Sequence, residues 1–568
     1  MTPHKGSFLI RPLAGERRAI APLIVVLVFA AANFLQATVT PLTGDEALYA
    51  MHGLHLSPGF KDHPPGIGLL TRGGGWLLPG AAGVRVLGVL CHAVMLWLVF
   101  RLVKPVHLER LILILVSIPV IHIYGFLATP DVPFLLATIC YLITWRSFLE
   151  SQNARKAVLM GLCMAAMLWS KYSGVLVILF TWIAVPSLWK NRWLWVSALS
   201  GLLLFSPHLI WQGVNDFPSF RFHLVERAGE FRWSNTTDFL AGQFAIFNPL
   251  VLVTSLLAIT RRGSKDAFDR SMRSLLGLTI LFFFVMSARG RVEAHWTAPC
   301  VFPMLFLLFR QDTQWMQRRI ARVVLLTFST ILIVLRVLVV YDVVPVLRGM
   351  FHRPAERIRL IHELAGNRPV CFMNSYQDPS LYMFYVGTPA HSIQNVEGAK
   401  NQYDWWQYNE AIHQQECLLV ASYNALGFES RREGDIELHY KVYDDLPVLH
   451  AFRVLPERTH IEVQSGDTLT IPVQFTNNNR YPLVFDSMNY SLTWRFLMSY
   501  KKIWQQVREV EWTGFPDRLN PGETVHGFFT VMLDVPVGTY RCGIAARIDD
   551  LPQTYQSPWI HVVVRESP

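Results

Sequence analysis

Thr43-Gly-Asp-Glu-Ala-Leu-Tyr49 and, after a short turn-rich stretch, Lys61-Asp-His-Pro-Pro65 form a polar island between two long apolar runs, residues 19–39 and 81–103. An ionisable side chain in or near a bilayer costs on the order of a few kcal/mol unless it is paired or hydrated. Acidic, basic and imidazole groups held between two such runs therefore point to a water-accessible mouth at one membrane face.

Further apolar stretches lie at 111–127, 132–149, 157–170, 175–188, 193–211, 239–259, 275–288, 296–309 and 323–341. With the first two they predict a polytopic α-helical membrane protein of about 11 transmembrane helices, several of them shorter than the roughly 17 residues a span needs. The run at 19–39 follows Arg17 and Arg18 but is longer than a signal-peptide core, so it is read as the first span. Composition agrees: of 568 residues 52% are hydrophobic and 16% charged, where a soluble domain carries about 25% charged residues. The net charge of +10 does not point to nucleic acid, because no basic stretch is interleaved with stacking aromatics. Seven scattered cysteines show no C-x-x-C spacing, so no zinc knuckle or disulfide framework is signalled. Cys371 and Cys417, outside the apolar blocks, are a candidate pair for an oxidising compartment.

Basic residues set the orientation. Arg17, Arg18, Arg101, Lys104, Arg110, Arg155, Lys156, Lys190, Arg192, Arg270, Arg273 and Arg318 fall on alternate connections, predicting a cytoplasmic N-terminus in a bacterial inner membrane. An odd span count then places everything after Tyr341 outside. The expected domains are a membrane domain at 1–344, a small α/β unit at 345–455 and an Ig-like β-sandwich at 456–568. Candidate buried strands at 369–373 and 417–422 support the α/β unit. Alternating strands such as Thr468-Leu-Thr-Ile-Pro-Val-Gln-Phe475, with turns at Asn477-Asn-Asn479 and Asn520-Pro-Gly-Glu523, support the sandwich.

On this topology the unusual polar clusters share the outer side: Thr43–Glu46, Lys61–Pro65, Thr129-Pro-Asp131, Ser170-Lys-Tyr172, Phe220–Arg227 and Arg289–His295. Each has a purely structural reading as well. Thr43 and Glu46 make a T-x-x-E capping box, with Asp45 favouring the first-turn dipole. Thr129-Pro-Asp131 is an N-cap followed by proline at the first helical position. Lys171 and Arg227 are placed to snorkel. His52, His55, Asp62 and His63 are metal-ligand types without a stereotyped motif, so no metal site is assigned.

Taken together, Asp45-Glu-Ala-Leu-Tyr49 followed by Asp62-His-Pro-Pro65 resembles the first outer loop of the bacterial dolichyl-phosphate-mannose–protein mannosyltransferase-like family, relatives of which are the aminoarabinose transferases that modify lipid A. Thr129-Pro-Asp-Val-Pro133, Ser170-Lys-Tyr172, Ser206-Pro-His-Leu-Ile-Trp211 with Ser219-Phe-Arg-Phe222, and Val292-Glu-Ala-His-Trp296 are similar to further segments of it. The resemblance spans roughly residues 20–310 and leaves out the Ig-like end. Asp62-His63 stands where aminoarabinose transferases have Glu-Lys, so their particular substrate and metal ligands do not carry over.

The resemblance implies a C-type glycosyltransferase fold and a sugar donor linked to polyprenyl phosphate, with inversion at the anomeric carbon. A carboxylate must take the proton of the attacking hydroxyl, and cations must stabilise the departing phosphate. It nominates Asp45 as base, Glu46 and Asp131 to orient hydroxyls, and Asp131 as the alternative base. Lys171 leads a pool of phosphate ligands comprising Lys61, Arg221, Arg227, Arg289 and Arg291. His63 and His295 would orient a carboxylate or the phosphate. Tyr49, Asp62, Tyr172 and Glu293 complete the substrate-binding set, and the Gly-rich stretch at 64–79 would line a lipid groove. No G-x-x-x-x-G-K-[ST] motif is present, which fits a lipid-linked donor, and this chemistry requires no cofactor or metal. The expected partners are that donor, a lipid, glycan or protein acceptor, and membrane lipids, with no nucleic acid. The alternatives are a transporter, against which the absence of a repeat speaks, and a non-catalytic carrier-lipid-binding protein.

Overall fold

The computed structural model describes residues 11–221, 232–260, 266–310, 313–344, 351, 353–393, 401–406, 408–424, 427–485, 491–500, 503–549, 551 and 554–566. The chain divides into two compact units, Met1–Arg353 and Pro354–Pro568.

The first unit is helical, and each of the eleven apolar stretches becomes one helix or two. Among the described residues, six helices are long and apolar enough to cross a membrane: Ile20–Val39, Gly80–Val103, Asp131–Glu150, Arg192–Val214, Ala267–Ser287 and Arg319–Val340. The number rises to eight if each of two bent pairs is one span. The remaining three stretches form shorter helices, Ala154–Ser170, Gly174–Ile183 and Val301–Arg310, the last entered through a 3-10 turn at Ala294–Cys300. Eleven apolar runs therefore do not make eleven full-length spans.

Proline sets both bends. Leu108–Ser117 gives way to Pro119–Phe126 at 73°, and Trp233–Phe247 to Pro249–Thr260 at 102°. The ring removes a backbone donor and disfavours helical geometry in the preceding residue, freeing carbonyls that must be satisfied inside the bundle. His122 Nε2 donates to Val116 O at 2.8 Å, and buried Asn248 donates to Ser117 O at 3.3 Å. Asn248 has φ +66° and also accepts from Leu250 N at 3.0 Å, so it holds its own break and braces the other.

In the second unit a five-stranded sheet runs in the order Ala390–Ile393, Val370–Met373, Cys417–Ala421, Ile436–Tyr443, Glu429–Glu433. The first three strands are parallel and the last two pair antiparallel. Val370–Met373 and Cys417–Ala421, the expected buried strands, are buried at every position, as strands covered on both faces are. Cys371 and Cys417 are free thiols. A six-stranded and a four-stranded sheet follow, sharing an apolar core with Cys371, Phe452, Trp494, Phe529 and Val562. Phe452–Pro456 pairs with Thr468–Asn477 in the four-stranded sheet, so the expected boundary at 455/456 falls at the end of a strand of that sheet.

Candidate active site

The helix Gly44–Leu54 starts at Thr43, whose hydroxyl accepts from Glu46 N while Glu46 accepts from Thr43 N at 3.1 Å, a complete capping box. Glu46 is fully buried and its carboxylate is saturated. Arg85 binds it through Nε and Nη2, both at 2.6 Å, and Ala128 N donates to it at 2.8 Å. The remaining Arg85 donors go to the carbonyls of Ala37, Thr40 and Pro41. With its lone pairs taken by protein donors, Glu46 ties the Asp45 helix to the first and second long helices and to the turn leading to Asp131. Asp45, beside it in the first helical turn, is half-buried and lies on the same element without sharing that bridge.

Three separated segments meet at Asp131. Its carboxylate, 5% exposed, accepts from Lys171 Nζ at 2.7 Å and has His295 Nε2 at 4.0 Å. Lys171 is itself buried. The alternative base and the leading phosphate ligand are therefore each other's partners.

A clamp fixes the loop that carries Lys61-Asp62-His63. His208 Nδ1 donates to Pro58 O at 2.7 Å and its Nε2 accepts from Tyr172 OH at 2.8 Å. Gln212 donates to Tyr172 Oη at 3.0 Å and to Ser219 Oγ at 2.6 Å, and Ser219 donates to Phe60 O at 3.0 Å. A Cβ at Gly59 would lie 2.3 Å from the Trp211 ring, so only glycine lets the loop come this close. Lys61 is buried and Asp62 and His63 half-buried. The ring of His63 meets Tyr49 edge-on at 5.9 Å, and Asp62 is close enough to Tyr172 for its charge to act on the phenol. His52 is enclosed and stacks on Phe60 at 3.8 Å.

The arginine pool is dispersed. Arg221 and Arg289 are exposed, and Arg291, 81% exposed, pairs with Glu293 at 3.0 Å. Long exposed side chains hold charge loosely, so the buried Lys61 and Lys171 are the fixed cations. Arg227 lies outside the described residues. Gly66–Leu77, within the expected lipid groove, is a helix that leaves Leu69, Trp76 and Leu77 exposed, with Arg72 over the Trp76 ring at 5.5 Å. Among the described residues, no group of three or more His, Cys, Asp and Glu side chains is placed to hold a metal ion.

Sequence reasoning missed Arg85 and Gln212, and it quoted His208 and Ser219 in family-like segments without giving either a role. A signal existed for two of them: His208 and Gln212 are polar residues four apart, hence on one helix face, at the end of an otherwise apolar run.

The chain has counterparts among known proteins. The family model of dolichyl-phosphate-mannose-protein mannosyltransferases matches residues 62–211, a segment containing Asp62, Asp131, Lys171 and His208 and starting after Asp45. The crystal structure of ArnT from Cupriavidus metallidurans in the apo state superposes with a TM-score of 0.54 at 14% identity, covering 75% of this chain and 98% of that one. The same protein bound to undecaprenyl phosphate gives 0.52 at 16% identity, covering 74% and 97%. No curated protein matches the sequence. The resemblance read from the sequence is thereby borne out: the chain has the fold of ArnT, and its residues 62–211 match the dolichyl-phosphate-mannose-protein mannosyltransferase model.

Proposed function

We propose that this chain transfers a sugar from a polyprenyl-phosphate carrier to a lipid, glycan or protein hydroxyl at the outer face of the bacterial inner membrane, with its N-terminus cytoplasmic. The observation that carries the reading is the meeting of Asp131, Lys171 and His295 from three separate segments beside the helix that begins with Asp45. That ArnT was crystallised with undecaprenyl phosphate supports a lipid-linked donor.

In this reaction the acceptor oxygen attacks the anomeric carbon from the face opposite the phosphate. Its proton passes to the Asp45 carboxylate, the bond from the anomeric carbon to the phosphate oxygen breaks, and the sugar leaves with inverted configuration. Asp45 takes the role of base because it stands half-buried in the first turn of the helix Gly44–Leu54 and matches the acidic residue of the family the sequence resembles, while Glu46 is held by Arg85 and Asp131 by Lys171. Lys171 and Lys61, buried and therefore weakly screened, stabilise the charge that collects on the leaving phosphate. His295, 42% exposed at the rim of the pair, donates to a phosphate oxygen. The Ig-like character of the last sheets belongs to the same reading.

The test is label transfer by the purified full-length protein offered radiolabelled polyprenyl-phosphate sugars and extracted envelope lipids. A labelled product formed with time supports transfer and identifies the acceptor. Donor binding without a product from any donor would favour a carrier-lipid-binding protein.

A further inference from the structure

The last long helix, Arg319–Val340, is the most apolar of the six, with a mean hydropathy of 2.7 over its best window, of which 11% is buried. Arg336 lies in it, about one turn from its end. An arginine in a lipid-facing span is costly unless it is paired, hydrated or near enough to the helix end to reach the headgroup level. Among the described residues it has no carboxylate partner. Its Nε donates to Gln36 Oε1 at 3.2 Å and Nη2 to Ala32 O at 3.3 Å, while Nη1 meets no acceptor among those residues. Gln36 answers by donating to Arg336 O and Thr40 Oγ1, both at 3.0 Å, and the guanidinium sits over the Phe126 ring at 5.6 Å. These contacts fix the cation at the seam of the first and last helices.

Two further observations single out the seam. About one turn deeper along the first helix, fully buried Asn33 donates to His92 Nδ1 at 3.2 Å, leaving Asn33 Oδ1 and His92 Nε2 without partners. His92 is close enough to feel the charge of Arg336. On the outside, Leu35, Val39, Ile333 and Val337 flank the arginine and are each about half exposed or more. A cation with an open donor, framed by exposed aliphatic side chains and a turn from the end of both helices, matches a phosphate at headgroup depth with acyl chains below it.

We infer that Arg336 and the seam it shares with Gln36 bind the phosphodiester of a bilayer phospholipid, a site separate from the one around Asp131. A single cation balances the single charge of a phosphodiester. The site lies on the same side of the membrane as the catalytic cluster, because Thr40, which Gln36 contacts, also accepts from Arg85, the partner of Glu46.

The test is native mass spectrometry of the delipidated full-length protein, titrated with phosphatidylglycerol, with the uncharged diacylglycerol of matching chains, and with polyprenyl phosphate. Wild type should hold one phosphatidylglycerol in preference to diacylglycerol. Arg336→Gln should weaken that adduct about tenfold or more, the scale of a lost charge-assisted hydrogen bond, while leaving the polyprenyl phosphate adduct unchanged. Arg336→Lys, which keeps the charge, should retain most of it. Wild type without preference for phosphatidylglycerol overturns the inference whether or not the variants fold. Equal adducts in Arg336→Gln, or loss of polyprenyl phosphate instead, overturn it as well.

Discussion

Two buried ion pairs lie close in sequence and differ in what they leave unsatisfied. In Glu46–Arg85 both side chains are 0% exposed, and every donor of the guanidinium and both carboxylate oxygens are engaged by protein. In Asp131–Lys171 the side chains are 5% and 10% exposed, and a histidine that is 42% exposed stands beside them. A saturated pair can hold helices together but has nothing left for a ligand. A pair open on one side keeps its charge available, which is what a site that meets a phosphate and a sugar requires. Motif position alone does not separate the two cases: Asp45 and Glu46 are neighbours, yet Glu46 is fully buried on Arg85 and Asp45 is half-buried.

The sharpest way to break this comparison is Glu46→Ala, which strands Arg85 in the bundle. It should cost about 3–5 kcal/mol, read as a large drop in the melting temperature of the detergent-solubilised protein. A variant that melts like wild type would remove the structural assignment. Asp131→Asn should do the reverse, lowering turnover about a hundredfold or more with a melting shift well below that of Glu46→Ala. Smaller again is the loop clamp. His208→Ala removes a donor to Pro58 and an acceptor for Tyr172, and should cost about 1–3 kcal/mol. It should raise the KM for donor more than it lowers kcat, because it loosens the loop bearing Lys61 without touching Asp45.

A pH-dependent effect on stability belongs to the second unit. Burial pushes His391, His413 and His450 down to about 4 from an ordinary 6.5. The unfolded chain therefore binds protons on these groups before the folded one does. The stability they contribute is complete above about pH 6.5 and is lost as pH falls towards about 4. Melting of the full-length protein followed between about pH 7 and about pH 4.5 should show this decline, and His450→Gln should flatten part of it.

Much of the helical unit was legible because long apolar runs leave a chain few alternatives in lipid. The breaks at Ile118 and Asn248 follow from the prolines after them, but which polar groups would answer the freed carbonyls could not be read: His122 does so from just past its own break and Asn248 from across the bundle. The capping box was visible because both partners lie within four residues. Arg85 was hidden because its partner is 39 residues away, and in the sequence it is one more charge near a helix start. Arg336 was hidden for the opposite reason, as a single charge absorbed into an apolar run. The arginine pool was read too generously, since a sequence shows the charge of Arg289 and Arg291 but not their exposure.

The central claim is that Asp45 is the base of a sugar transfer, and a single-turnover reaction with donor already bound tests it most directly. Asp45→Asn should keep its melting temperature and its affinity for the polyprenyl-phosphate sugar while losing transfer to the acceptor. Transfer at the wild-type rate in that variant would contradict the account and return the base to Asp131.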